Sequence, residues 1–381
     1  MRSPQNAKKG NFITIARYIS EHTQASNSEI ANSLRMSMPT VLQHVKELLE
    51  QGVIEEEGKY ESSGGRRASY FTLRRDLAYV IGLDIKRESM IFSVINMRGE
   101  SMYTRRFKIP YEDSFLYFDQ IRKNLNEFLG EAKISRQKVC GIGISLPGIV
   151  DDDKKFMLRS HALNVKNVSF LGLERILGYP IMIENDANCA AFAELHGYRG
   201  NAVYLSLSDT VGGAICMDGV LYKGDGFKSG EFGHMVVNKD GETCYCGKRG
   251  CFDAYCSAKV LKKAGDGELT VFFDKVKNGE QEAVAIWEKY SDYLALAVSN
   301  LRMVFDCDVV LGGEVGGYLE KYQFSLMERT NLYNKFEYDT EYLKIGKYKN
   351  EVSAYGAALR FRDDIFDDII AGTEEISRVS V

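Results

Sequence analysis

The pattern of apolar and polar positions divides the chain into a short helical head and a long body of alternating strands and helices. In the head, Phe12, Ile15, Ala16 and Ile19 recur at helical spacing and predict a first amphipathic helix. Ser26-x-x-Glu29, ahead of Ile30, Ala31 and Leu34, has the form of a capping box opening a second, short helix. Ser37 is placed to cap a third, which is expected to bury Val41, Val45, Leu48 and Leu49 and to end at Gly52. Pro39 falls in its first turn, where a missing N–H costs little. Two β-like runs follow, around the tip Ser63-Gly64-Gly65-Arg66-Arg67. Helix, helix–turn–helix and hairpin in this order predict a winged helix–turn–helix over residues 1–75.

From residue 77 the pattern changes. Residues 79–85, 90–97 and 102–109 read as three consecutive strands, and Phe118, Ile121, Leu125 and Phe128 mark a helix after them. Residues 139–150 form a buried strand running into a turn, and residues 180–186 another strand. Residues 202–209 and 212–222 open a second strand set. A long helix then places Trp287, Tyr290, Leu294, Ala297, Leu301 and Val304 on one face, and residues 308–315 give a strand with a glycine turn. Strands followed by helices, twice over, predict an α/β body of two lobes with a cleft between them, duplicated in pattern but not in sequence. The lobes are expected at 77–190 and 191–381.

Composition narrows the class. Apolar residues make up 45% of the 381 residues and charged residues 27%, which suits a soluble chain of two or three domains. No apolar run approaches the ~20 residues of a membrane helix, and residues 1–10 lack the apolar stretch of a secretory signal. A cytoplasmic protein without a membrane partner is expected. Residues 1–75 carry 11 Lys+Arg against 8 Asp+Glu, a net +3, which leaves −7 for the rest of a chain whose total is −4. A basic head on an acidic body fits a head that binds double-stranded operator DNA. On the third helix Thr40, Gln43, Lys46 and Glu47 face outward, with His44 at the flank. Ser37, Thr40, Gln43 and His44 are expected near base edges, Lys46 at phosphate, and Arg66 and Arg67 in the minor groove. The competing reading is a small oligomerisation module with a solvated basic turn.

Three of the eight cysteines crowd into Cys244, Cys246 and Cys251, and nine residues separate His234 from the first of them. In a reducing compartment such a cluster points to metal more than to a disulfide. One His and three Cys complete a tetrahedral set for zinc, with Gly247 and Gly250 allowing the chain to turn. Four protein ligands leave no position open for water, so the zinc is expected to be structural.

The Gly-Glu-Phe-Gly-His stretch at 230–234, with Cys-Tyr-Cys-Gly-Lys-Arg-Gly-Cys at 244–251, resembles the signature of the ROK family of repressors, open reading frames and sugar kinases. Glu-Asn-Asp-Ala-Asn at 184–188, Leu-Pro-Gly at 146–148 and Leu-Gly-Gly at 311–313 also fit, and the match spans about 77–363. The resemblance implies the actin-like ATPase fold of sugar kinases, Hsp70 and actin, two lobes clasping a sugar, with the final helix returning to the first lobe. It implies sugar contacts from Asn164, Asn185, Asp186, Glu231 and His234, with Asp253 where the family usually has Glu. His234 would then touch both metal and sugar. Asp186 is the equivalent of the kinase base, and a carboxylate at a strand end beside Asn185 and Asn188 suits a polyol on chemical grounds alone. The 186–188 stretch also has the composition of a helix cap.

The phosphate loops depart from the kinase pattern. Where kinases read Asp-x-Gly-Gly-Thr, this chain reads Asp84-Ile85-Lys86-Arg87-Glu88; where they read Gly-Thr-Gly-x-Gly, it reads Ser208-Asp209-Thr210-Val211-Gly212. Bulky side chains replace the close backbone approach that phosphates need, and Asp209 adds like charge. The reading is a non-enzymatic, sugar-responsive repressor acting as a dimer or tetramer, whose effector is a small sugar or sugar phosphate. A sugar kinase with a regulatory head is the alternative, and a repressor signalled by a protein partner without sugar is a third.

Overall fold

The computed structural model describes residues 4–59, 69–348 and 352–379; the expected wing-tip contacts Arg66 and Arg67 lie outside them. The head comprises α1 (Pro4–Glu21), β1 (Ala25–Ser26), α2 (Asn27–Leu34), α3 (Met38–Glu50), β2 (Ile54–Lys59) and β3 (Ser69–Leu73), with β3 between β1 and β2. The capping box is present: Ser26 Oγ accepts from Glu29 N, and the Glu29 carboxylate accepts from Ser26 N at 2.7 Å. Ser37 caps α3 through Thr40 N. Two expectations on α3 are corrected. His44 is 2% exposed, inside the stripe with Val41, Val45 and Leu48, whereas Leu49 is 36% exposed. Positions 41, 44, 45 and 48 are the i, i+3, i+4, i+7 set of one helical face, and 49 falls at its edge.

The first lobe holds β4 (Tyr79–Ile85), β5 (Met90–Asn96), β6 (Ser101–Phe107), α4 (Phe115–Ala132), β7 (Val139–Leu146), β8 (Ile149–Asp151), β9 (Phe156–Ser160), β10 (Val165–Ser169), α5 (Leu171–Leu177), β11 (Ile181–Asn185) and α6 (Asp186–Glu194). The second holds β12 (Ala202–Leu207), β13 (Val211–Met217), β14 (Val220–Leu221), α7 (Asp253–Cys256), α8 (Ala258–Ala264), α9 (Leu269–Lys277), α10 (Gln281–Phe305), β15 (Asp308–Gly312), α11 (Gly313–Leu319), α12 (Gln323–Tyr333) and β16 (Leu343–Ile345). The two main sheets run β6-β5-β4-β7-β11 and β14-β13-β12-β15-β16. Each is an antiparallel three-strand meander extended by two parallel strands, so the repeat seen in the pattern is a repeat of topology. On α10, Trp287 to Leu301 are buried as expected, but Val304, in the last turn beyond that stripe, is 73% exposed.

The final helix, α13 (Val352–Val379), crosses back onto the first lobe. Glycines make this possible. A Cβ on Gly82 would stand 1.7 Å from the Ala354 carbonyl oxygen, and one on Gly143 would stand 2.1 Å from that of Ala357. Gly356 meets the Cys189 carbonyl of α6 in the same way, at 1.9 Å. Gly143→Ala is therefore expected to lose about 1–3 kcal/mol of stability by overpacking, read as a lower urea midpoint. An unchanged midpoint would contradict this packing.

Past the lobe, α13 joins the core of the head. Phe366 and Ile370 share one apolar cluster with Phe12, Ile15, Ile19 and Met97. Arg17 on α1 pairs with Asp367 at 2.8 Å and lies 5.0 Å over the Phe366 ring. Arg98, its side chain 8% exposed, ties the base of the wing to the β5–β6 turn through Glu55 at 2.7 Å and Glu57 at 3.2 Å. Among the described residues, no helix is long and apolar enough to cross a membrane.

Candidate sugar cleft, metal cluster and DNA-binding head

A cleft of about 330 Å³ opens between the lobes, where β8 and the β11–α6 junction face β13 and the 223–234 loop. Asn185, Asp186, Glu231 and His234 line it. Asn185 caps α6 by accepting from Asn188 N at 3.0 Å, and its amide donates to the Gly148 carbonyl at 2.9 Å, which leaves one N–H for a ligand. Asp186 opens the helix, with one carboxylate oxygen accepting from Ala187 N at 2.9 Å. Burial, and then the nearby Asp84 carboxylate, push its pKa up to about 7. Such a carboxyl group both accepts from and donates to hydroxyls near neutral pH.

The Glu231–His234 turn is seated by glycines. A Cβ on Gly230 would stand 2.4 Å from the Gly213 carbonyl oxygen, and one on Gly233 would stand 2.2 Å from that of Val211. The turn thus lies flush on β13 and presents both side chains to the cleft. Two expected sugar contacts lie elsewhere. Asn164 sits in an exposed turn at φ +57°, outside the cleft lining. Asp253 is 5% exposed and accepts from Val211 N at 2.6 Å. Its shorter side chain fastens the strand beneath the cleft instead of lining it.

His234, Cys244, Cys246 and Cys251 offer ligand atoms that all lie within 4.8 Å of one another. Cys246 Sγ is 3.7 Å from Cys251 Sγ, and Cys244 Sγ is 3.8 Å from His234 Nδ1. A tetrahedron with ~2.3 Å metal–sulfur bonds has edges of about 3.8 Å, so the donor set fits a four-coordinate metal ion. Gly250, at φ +75°, turns where a Cβ would stand 1.6 Å from the Asn238 carbonyl oxygen. With Nδ1 toward the sulfurs, His234 Nε2 points to Tyr245 Oη at 3.4 Å and to the Glu231 carboxylate at 3.9 Å, toward the cleft.

An ionic network behind the cleft was not foreseen. Glu184, 2% exposed, pairs with Arg360 of α13 at 2.8 Å and with Lys223 of the second lobe at 3.0 Å. Its other oxygen accepts from Asn188 at 3.0 Å. Lys223 also reaches Asp152. Both lobes, the polyol-facing strand end and the final helix therefore meet at one carboxylate. The four residues are widely separated in sequence, and each resembles an ordinary surface charge.

On α3, Gln43 and Lys46 are exposed, Thr40 is half-buried, and Ser37 is exposed beside it. Buried His44 bonds Glu47 at 3.0 Å and packs edge-on to Phe12, so it belongs to the core of the head. Met38 and Leu42, 41% and 49% exposed, stand with Lys46 on one outward row, a placement their i, i+4 spacing already contained.

The ROK family model matches residues 80–364, three-quarters of the chain. The chain belongs to the ROK family. A winged helix–turn–helix DNA-binding model matches residues 15–55 within the head. The xylose repressor of Bacillus subtilis is 24% identical over 314 residues, covering 80% of this chain and 82% of its own length. The N-acetylmannosamine kinase of Salmonella typhi is 28% identical over 260 residues, covering 65% of this chain and 86% of its own. A crystal structure of a ROK family transcriptional regulator, a homolog of the E. coli MLC protein, superposes with a TM-score of 0.72 at 20% identity, covering 96% of this chain and 99% of that one. This last likeness establishes that the ROK fold and the head occur together in one architecture.

Proposed function

We propose that this ROK protein is a sugar-responsive transcriptional repressor: a ligand in the cleft sets the affinity of the winged head for operator DNA. One observation carries the reading. The cleft and the head share a single structural member, α13, which pairs with Glu184 behind the polyol-facing residues and ends in the core of the head. Sugar hydroxyls engage Asn185, Asp186, Glu231 and His234. Closing the lobes on a ligand moves Lys223 relative to Glu184 and Asp152, and Arg360 carries the change to the head. A conformational response of this kind requires the ligand to favour one lobe arrangement over the other. A dimer would present two heads to paired half-sites, so a change in their spacing alters recognition.

The metal of the His234–Cys251 cluster is zinc in this reading, and its role is structural. With Nδ1 committed to the cluster, His234 Nε2 carries the ring proton and donates to a sugar oxygen. Base edges are read by Ser37, Thr40 and Gln43, phosphate by Lys46, and the minor groove by Arg66 and Arg67.

The loop regions favour sensing over phosphoryl transfer. The β4–β5 turn closes tightly, with Lys86 N donating to the Ser89 carbonyl at 2.8 Å. Lys262 bridges Asp209 at 2.8 Å and Glu314 at 2.6 Å, across the second loop. Thermal unfolding of the zinc-loaded chain against a sugar panel, with and without Mg-ATP, tests the choice. A sugar at a hundred times its dissociation constant is expected to add about 2.7 kcal/mol of stability. No further rise with Mg-ATP and no ADP release are expected. Sugar-dependent ADP release would establish the kinase instead.

A further inference from the structure

We infer that the ligand of the cleft is a sugar bearing an anionic group, a phosphate or a carboxylate, held at the rim by Arg159, His161, Lys228 and Lys248. The inference rests on the proposal that the cleft binds a sugar and specifies which chemical class. All four side chains line the cleft and are exposed at its mouth. Among the described residues neither Arg159 nor Lys228 forms an ion pair, and neither is among the residues with further partners. Lys248 Nζ donates only to the His234 backbone carbonyl, at 2.9 Å, and keeps donors to spare. Lys223 lines the cleft too, but Asp152 and Glu184 already neutralise it.

The arrangement is directional. His161 lies 5.9 Å from the Tyr245 ring, and Tyr245 lies 5.3 Å from His234, so a row of rings runs from the rim toward Glu231. Burial lowers the pKa of His161, and the charges of Arg159 and Lys166 lower it further. The Arg159 charge therefore reaches the His161 ring at the rim. Four permanent cations line this cleft, Lys223 included, against three carboxylates: Glu184 is committed to Lys223 and Arg360, Asp186 lies deeper beside Asp84, and Glu231 faces the His234 ring at 3.9 Å. Outside the head the chain carries a net −7, so a basic rim is not what its composition would supply by chance. A neutral sugar satisfies the carboxylates and leaves the rim uncompensated. A sugar with an anionic substituent satisfies both, hydroxyls inward and anion outward, through charge-assisted hydrogen bonds.

Calorimetry on the full-length, zinc-loaded protein tests this with matched pairs: glucose against glucose 1-phosphate, glucose 6-phosphate and glucuronate, and N-acetylglucosamine against its 6-phosphate. Inorganic phosphate alone is the further probe. At least one anionic member is expected to bind 10-fold or more tightly than its neutral parent, and the phosphate and carboxylate arms identify which anion is used. The double variant Arg159→Gln/Lys228→Gln is expected to remove that advantage, while Lys239→Gln, outside the cleft, keeps it. Neutral parents binding as tightly as their anionic partners would overturn the inference and leave sugar sensing intact. Inorganic phosphate matching the sugar phosphates would overturn it as well, by showing an anion patch without a sugar site. Binding of no sugar of either class would overturn both readings.

Discussion

If the His234–Cys251 cluster holds zinc as proposed, replacing Cys251 by Ser is expected to lower the metal content from one ion per chain to none, and to weaken sugar binding at least 100-fold. Cys251 is fully buried, and its sulfur stands 3.7 Å from that of Cys246, so a serine there leaves the donor set one sulfur short. The cluster holds the strand pairing Val236 with Cys251 and the turn that carries His234. Losing it frees the His234 ring and the neighbouring Glu231, and each charge-assisted hydrogen bond given up is worth about 1.5–3 kcal/mol. The cluster lies outside the apolar core that the head shares with α13, so DNA binding should survive while its response to sugar disappears. Metal analysis and calorimetry check both halves. A variant that keeps full sugar affinity without zinc would separate the cluster from the cleft.

Arg360→Met is expected to destabilise the protein by several kcal/mol. Removing one partner of a buried ion pair typically costs about 3–5 kcal/mol, because the other charge stays buried. Glu184 keeps Lys223, so the cost should fall toward the lower end of that range. Adding Glu184→Gln should restore part of the loss, since the stranded charge is then gone. The double variant should fold, bind DNA and respond weakly to sugar, because α13 no longer feels the cleft through this pair. Urea unfolding and DNA binding provide the two readouts. Equal stability of Arg360→Met and the parent chain would contradict the network.

The sequence and the structure agree most closely where function is local. The His234–Cys251 cluster packs its three cysteines into eight residues, with glycines at the turns, and its four donor atoms converge as the spacing predicts. The capping box at Ser26 and the cap at Ser37 are equally local and equally legible. Periodicity located helices but judged depth less well. His44 completes a stripe already marked by Val41, Val45 and Leu48, and its polarity disguised it as a surface residue. Asp253 illustrates a different limit. Family resemblance supplied its place in a motif, but whether a carboxylate lines a cleft or fastens a strand depends on one side-chain carbon and on Val211, far away in sequence.

The seam between α13 and the rest of the molecule was the least legible part. A return of the last helix to the first lobe is expected from the family resemblance, but its union with the head is not. Nothing near Phe366, Asp367 or Ile370 indicates that their neighbours are Phe12 and Arg17. Gly82, Gly143 and Gly356 were the available signal, since small residues inside two strands and a helix mark close backbone approach.

The most direct test of the account is operator affinity with and without the cleft ligand, at one fixed salt concentration, because phosphate contacts make the affinity salt-dependent. The duplex would be selected by the protein itself from a random pool, and binding followed by fluorescence anisotropy. A sugar bound in the cleft is expected to shift the dissociation constant 5-fold or more, within the usual 1–3 kcal/mol of allosteric coupling, and Glu184→Gln/Arg360→Met is expected to reduce the shift. An operator affinity unchanged by a sugar that demonstrably occupies the cleft would contradict it.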